Sequence, residues 1–299
     1  MNVSLFSPPG PPDEVIVDEG EGNFKILLLD VDGIITSAGE SGVLSKFESP
    51  VAFLKERLEL AREDSRIKAV VLRVNSPGGG VTASDIMYKE LVKFKEDTGI
   101  PVIACFMDVA ASGGYYISMA ADKIICHPTC ITGSIGVIAQ LATIDKLLEK
   151  VGIEPVTIKS GKHKDIGSPM RVPTDEEKKI MQKLVDSMYE RFVDIVARGR
   201  GMEQQEVRAI ADGRVHDAQE ALKLKLVDKV GYLDDAIETA QSEAGIQDAT
   251  VVMYTRPGDY RSNIYSAETK SRDSSIGAVA EDLLGSLGAR FYYLWVPGK

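Results

Sequence analysis

AVVLRVNSPGGGVTASDIMYKELVKFK, residues 69–95, is the stretch that decides the fold. Its first six residues form an apolar run of strand length, three consecutive glycines follow, and a helical pattern starts at once. A strand that turns on glycine straight into a helix is half of a parallel crossover unit. Similar units surround it. The run FKILLLDVDGII at 24–35 reads as a buried strand, as do 101–106, 123–126, 154–158 and 250–254. Helical patterns occupy 51–63, 82–95, 112–121, 143–151, 175–198, 203–211, 217–224 and 233–244. The long pattern at 175–198 places Ile180, Leu184, Met188, Phe192 and Val196 on one face, and Thr174 with Asp175, Glu176 and Glu177 forms a capping-box start. Strands alternating with helices imply an α/β fold with a largely parallel sheet.

Composition narrows the function. Of 299 residues, 44% are hydrophobic and 27% charged, the balance of an ordinary globular chain. Lys and Arg number 35 against 45 Asp and Glu, a net charge of −10, so no overall field favours nucleic acid. Three cysteines do not make a disulfide framework. No run reaches the roughly 20 apolar residues of a membrane span, and the N-terminus carries no signal-like core, so the chain as written reads as soluble. Residues 1–23, with Pro8, Pro9, Pro11 and Pro12, read as a disordered arm. Residues 24–256 read as the folded body. Residues 257–299 read as a polar linker and a C-terminal aromatic segment, Phe291-Tyr292-Tyr293-Leu294-Trp295-Val296, expected to bury against the body or a neighbouring subunit.

Two junctions carry more glycine than packing needs. In Asn75-Ser76-Pro77-Gly78-Gly79-Gly80 the backbone can approach a ligand with its N–H groups free. The segment lacks the Lys-Ser/Thr ending of a phosphate loop and the GxGxxG spacing of a dinucleotide site. In Asp108-Val109-Ala110-Ala111-Ser112-Gly113-Gly114 a serine sits where strand gives way to helix, as a nucleophile does, though for the serine taken alone a helix cap is the favoured reading. Neighbouring parallel strands end at one crevice, so the N–H groups of Gly78 or Gly79 and of Gly113 can converge on one oxygen. A serine nucleophile needs a base. Of the three histidines, His127 and His216 read as surface or capping residues, whereas His163 lies in the polar loop Lys159-Ser160-Gly161-Lys162-His163-Lys164-Asp165 among several amines.

NSPGGG, AASGGYYIS, TGSIGVI and KSGKHKDIGSP, in this order, resemble signal peptide peptidase A in its short, single-repeat form, over about Phe24 to Tyr254. The resemblance implies a membrane-associated serine peptidase, on the extracytoplasmic face, with a Clp-protease/crotonase-like fold of repeated ββα units. It implies a Ser–Lys dyad: Ser112 as nucleophile, Lys164 as general base, Ser134 orienting the lysine, and Gly78, Gly79 and Gly113 as the oxyanion hole. It also implies remnant signal peptides as substrates, no cofactor and no metal. Because the chain holds one repeat, neighbouring subunits would complete each other's sites in a ring.

The dyad sets a physical condition. A free lysine, with a pKa of about 10.4, is almost wholly charged at neutral pH, so a base lysine needs burial without a carboxylate partner. Asp165 is adjacent, and pairing with Lys164 would defeat the mechanism. Two other readings stay open: a crotonase-type acyl-CoA enzyme, which needs the glycine N–H groups but not Ser112, and a non-catalytic scaffold. Cys105 reads as core, Tyr115 and Tyr116 as packing beside the site, and Cys126, His127 and Cys130 lack a fourth zinc ligand nearby.

Overall fold

The computed structural model describes residues 12–37, 49–256, 263–265 and 290–295. Along the chain run β1 (Asp13–Asp18), β2 (Lys25–Asp32), α1 (Pro50–Glu63), β3 (Ile67–Ser76), β4 (Gly78–Gly80), α2 (Val81–Thr98) and β5 (Val102–Ala111). Then follow α3 (Gly113–Ser118), β6 (Lys123–Cys126), β7 (Ile131–Gly133), β8 (Ile138–Gln140), α4 (Asp145–Lys150) and α5 (Asp175–Arg200). The rest comprises α6 (Gln204–Ile210), β9 (Val215–Asp217), α7 (Ala218–Lys223), β10 (Lys229–Val230), α8 (Leu233–Ala244), β11 (Thr250–Thr255) and β12 (Arg290–Leu294).

β3 lies mid-sheet, parallel to β2 on one side and β5 on the other. The sheet order is β1-β11-β2-β3-β5-β6-β10. Val70, Leu72 and Val74 of β3 join a core with Leu54 and Leu58 of α1 and Met87, Leu91 and Phe94 of α2. Ala69 and Val71, pointing the other way, pack with Leu233, Ala236 and Ala240 of α8. A strand covered on both faces is apolar on both, which is why 69–74 lacks polar alternation; its one charged residue, Arg73, is buried and pairs with Asp30 of β2 at 2.7 Å.

The far end of β5 positions the site. Ile103–Phe106 pair with β6, after a register shift Ser76 meets Ala110, and Val109–Ala111 then pair with β7. This change of partner branches β7, and β9 beyond it, off the main order of the same sheet. The glycine strand β4 leaves that sheet and joins a second, small one in the order β4-β12-β8. β3, β4 and α2 thus form a ββα unit.

Three expectations change. Asp13–Asp18, read as part of a disordered arm, forms β1, antiparallel to β11. Val15 and Val17 turn inward between exposed neighbours, a period-2 pattern hidden behind the prolines. Residues 154–158, read as a strand, have no regular structure, and Val156 and Ile158 are 83% and 97% exposed. The apolar face of α5 is buried at Met181, Phe192 and Val196 but open at Leu184. The capping box at Thr174 and Glu177 forms as read. Residues 1–11 and most of 257–289 lie outside the described residues. Among the described residues, no helix is long and apolar enough to cross a membrane.

Candidate active site

Ser112 is the hinge between β5 and α3 and is 1% exposed. Its backbone takes φ 52° and ψ −112°, a conformation L-residues avoid. Ser112 N–H donates to the Gly133 carbonyl at 2.8 Å, and its own carbonyl accepts from Tyr116 N–H at 2.8 Å. The hydroxyl makes no capping bond to α3, so the helix-capping reading of this serine falls away.

Ser134 occupies the equivalent place on the neighbouring strand. Ala111 pairs with Gly133, so both chains leave the pairing at the next residue. Ser134 has φ 49° and is 7% exposed, its N–H held by the Arg214 carbonyl at 2.8 Å. Ser112, Ser134 and Lys225 are the positive-φ residues other than glycine among the described residues. Strain of this kind persists where the surroundings impose it, often at functional sites.

The glycines meet Ser112 from the other side. At Gly78, with φ 100°, a Cβ would collide with the Tyr293 carbonyl oxygen and lie 2.6 Å from Gly113 N. A Cβ at Gly113 would lie 3.0 Å from both Gly78 Cα and Gly79 N. At Gly79 it would collide with Ile35, whose backbone pairs with Gly78 and Gly80 at 2.9 Å. The structure thus brings Gly78, Gly79 and Gly113 together beside Ser112, with one carbonyl oxygen, that of Tyr293, against Gly78.

That oxygen belongs to β12, whose role the sequence did not disclose. The strand lies antiparallel between β4 and β8, with Tyr293 opposite Gly79, and Trp295 N–H donates to the Pro77 carbonyl at 2.8 Å. The Tyr293 side chain is fully buried. Its ring stacks on Tyr116 at 4.9 Å, tilts against Phe192 at 4.7 Å, and its hydroxyl donates to the Met188 carbonyl at 2.9 Å. Burial raises the Tyr293 phenol well above the tyrosine range. Tyr116 donates to Asp85 at 2.5 Å, and Arg191 grips the same carboxylate at 2.6 Å. Tyr115 turns away from this pocket to donate to the Leu226 carbonyl. The aromatic run RFYYLW carried a signal for burial, but none for where.

Lys164 is not joined to these groups. It is exposed, and among the described residues no hydrogen bond or ion pair links its amine to Ser112 or Ser134. Asp165, the feared partner, is engaged elsewhere, by Lys159 at 2.6 Å and by Arg171 at 2.7 and 2.8 Å. A cavity of about 490 Å³ opens beside Ser134, lined also by Val137, Asp186, Asp212, Leu294 and Trp295. His127 and His163 stay at the surface. His216, read as a surface or capping residue, is instead 4% exposed, packed under Gly133 and 3.1 Å from Glu220. Cys105 is core, as read, and burial pushes its thiol up to about 12. No cluster of metal-binding side chains occurs among the described residues.

The profile of peptidase family S49 matches residues 94–247, a span that includes Ser112, Ser134 and Lys164. An Enterococcus faecium protein named as a signal peptide peptidase SppA is 43% identical over 81% of this chain and 70% of its own length. The chloroplastic serine protease SPPA of Arabidopsis thaliana is 38% identical over 71% of this chain and 32% of its own. Protease 4 of Haemophilus influenzae is 33% identical over 88% of this chain, which spans 42% of that protein. Likeness of this extent, on a buried serine ringed by backbone glycines, settles the class: the chain belongs to peptidase family S49 and is a serine peptidase of Clp-protease/crotonase-like fold.

Proposed function

We propose that the chain cleaves extended, apolar peptides with a Ser112–Lys164 dyad. The observation that carries this reading is the seat of β12: an extended segment hydrogen-bonded between β4 and β8, one aromatic side chain buried, its carbonyl oxygen against Gly78 beside Ser112. A substrate strand entering the same groove would offer its scissile carbonyl there. Neutral Lys164 removes the hydroxyl proton of Ser112, and the oxygen attacks the carbonyl carbon. The oxyanion rests on N–H groups of Gly113 and of Gly78 or Gly79. Lys164 passes the proton to the leaving amine, and water then hydrolyses the acyl-enzyme. Ser134 holds the lysine amine without adding charge.

The lysine is supplied by a neighbouring copy in a ring. Two features support this. Apolar residues of the Lys164-bearing region, Leu147, Val151, Ile153, Val156, Ile158 and Val172, are exposed, and the cavity beside Ser134 has room for an incoming side chain. Remnant signal peptides at a membrane surface are the substrate class that suits an apolar groove and the name of the Enterococcus faecium relative. A crotonase-type reading needs no hydroxyl at Ser112 and leaves its strained placement without purpose.

The test is hydrolysis of a fluorogenic peptide with an aromatic residue before the scissile bond. Ser112→Ala and Lys164→Ala each lose activity by at least about 10³-fold with assembly intact. Full activity in either refutes the dyad.

A further inference from the structure

Residues 151–174 contain no helix or strand. Irregular stretches of this length are uncommon inside a compact domain and are mostly functional. This one carries Lys164, so what fixes its shape matters to the reaction. Local turns supply part of the answer: Lys164 N–H bonds to Gly161 O at 3.1 Å, Ile166 N–H to His163 O at 3.1 Å, and Ser168 N–H to Asp165 O at 3.0 Å. Such turns shape the segment but do not attach it to anything.

Arg171 attaches it. Its Nε and Nη2 hold both oxygens of Asp165 at 2.7 and 2.8 Å. Its Nη1 and Nη2 hold both oxygens of Glu177 at 2.8 and 2.6 Å. Glu177 is 2% exposed and also accepts from Thr174 N–H at 2.8 Å, so the far end of the link is anchored in the first turn of α5. A planar guanidinium bridging two carboxylates fixes distance and angle together, which a lysine does not do.

We infer that Arg171 is a positioning residue for the general base: it clamps the Lys164 turn to α5 and neutralises Asp165, the carboxylate next to the catalytic amine. The inference rests on the Ser–Lys reading. It explains why the sequence tolerates an acid at 165. Asp165 is engaged by Arg171 and Lys159 and makes no ion pair with Lys164 among the described residues. The other charges around the turn are also engaged: Lys162 pairs with Glu176, His163 lies 3.4 Å from Glu176, and Lys178 pairs with Asp175. The two carboxylates lining the cavity beside Ser134 are engaged as well, Asp212 by Arg214 and Asp186 by Gln182. Lys164 is the cation of this turn without a carboxylate partner among the described residues, which suits an amine that must become neutral.

The test is the pH dependence of kcat and KM for the full chain on the fluorogenic peptide. Wild type is compared with Arg171→Gln, Asp165→Asn, the double variant, Arg171→Lys and Lys164→Ala. In Arg171→Gln the freed carboxylate favours the ammonium, so the rising limb of kcat moves to higher pH by about half to one unit, with KM little changed. In Asp165→Asn a negative charge is lost while Arg171 stays on Glu177, and the limb moves to lower pH. The double variant returns the limb near wild type, and Arg171→Lys recovers the charge effect but not full kcat. A purely structural arginine would lower activity without moving the limb. An Arg171→Gln limb that superimposes on wild type, or a shift that persists in the double variant, overturns the inference. Should Arg171→Gln not fold, an unmoved limb in Asp165→Asn overturns it instead. An inactive Lys164→Ala with no limb shift fails the clamp alone, whereas an active Lys164→Ala fails the dyad reading as well.

Discussion

Ser112 is held against its own backbone preference. A non-glycine residue at φ 52° and ψ −112° costs on the order of 1–3 kcal/mol, and the bond from Ser112 N–H to Gly133 O is part of what enforces it. Replacing it with glycine removes the strain and the proposed nucleophile together. Ser112→Gly should therefore be inactive yet melt higher, by about 2 °C for each ~1 kcal/mol gained, in a thermal unfolding scan. An unchanged or lower Tm in that variant would mean the strain is not real. Gly78→Ala should fail differently: the new methyl meets Tyr293 O and Gly113 N, so it closes the oxyanion position and unseats β12. We expect at least a 10²-fold loss of activity, by the scale of a lost oxyanion donor, measured on the same peptide. The sequence made Ser112, Gly78 and Gly113 visible because glycines and a serine at strand ends are rare for packing purposes. It did not make the strain at Ser112 and Ser134 visible, because φ is imposed by strands distant in the chain.

At the scale of elements, long strands and helices were legible and short ones were not. β3, β5 and β11 declare themselves by apolar runs, and α5 by its period and its capping box. β4, β7, β8 and β9 are three residues each, and nothing local marks them. They exist because neighbours offer ladder partners, which is tertiary information. The same logic explains 154–158, a stretch with no strand partner among the described residues. β12 is the element with the largest consequence. It lies between β4 and β8, so on the proposed reading a peptide entering that groove displaces it. A variant ending before Arg290 should show a lower KM for short apolar peptides, and Tyr293→Ala an intermediate one, provided the groove itself survives. An increased KM in the truncated form would show that β12 builds the groove and does not compete for it. The clamp on the Lys164 segment is acid-sensitive in a defined window. Arg171, and then Thr174 N–H, hold the Glu177 carboxyl down to about 2, below the usual carboxylate range. Its folded pKa is depressed, so its contribution is complete above pH ~4.3 and is lost as pH falls toward about 2. Proteolytic nicking within 151–174 should accelerate across that interval, and Glu177→Gln should show the faster nicking already at neutral pH.

At the scale of the whole molecule, the chain carries both members of the proposed dyad, but among the described residues no hydrogen bond or ion pair joins them. Ser112 is buried at the crevice, whereas Lys164 is exposed on a segment whose apolar residues face outward. Burying Val156 and Ile158 alone against a neighbour would be worth about 1.5–3 kcal/mol each, so the segment has reason to dock. Docking would also strip water from the lysine, as an amine base requires. If the ring reading holds, activity belongs to pairs of chains. Inactive Ser112→Ala subunits carry an intact Lys164, and inactive Lys164→Ala subunits carry an intact Ser112. Co-assembled in equal numbers, they form wild-type pairings at interfaces where a Lys164→Ala chain receives the lysine of a Ser112→Ala neighbour. Random mixing makes that arrangement about a quarter of all interfaces, so refolding the two together should restore roughly a quarter of wild-type activity, by the product of two equal populations. Each variant assembled alone stays inactive. Mixed assemblies that remain inactive, with their mixed mass verified in solution, would place both groups of the dyad in the same chain and require the 151–174 segment to fold back onto its own Ser112.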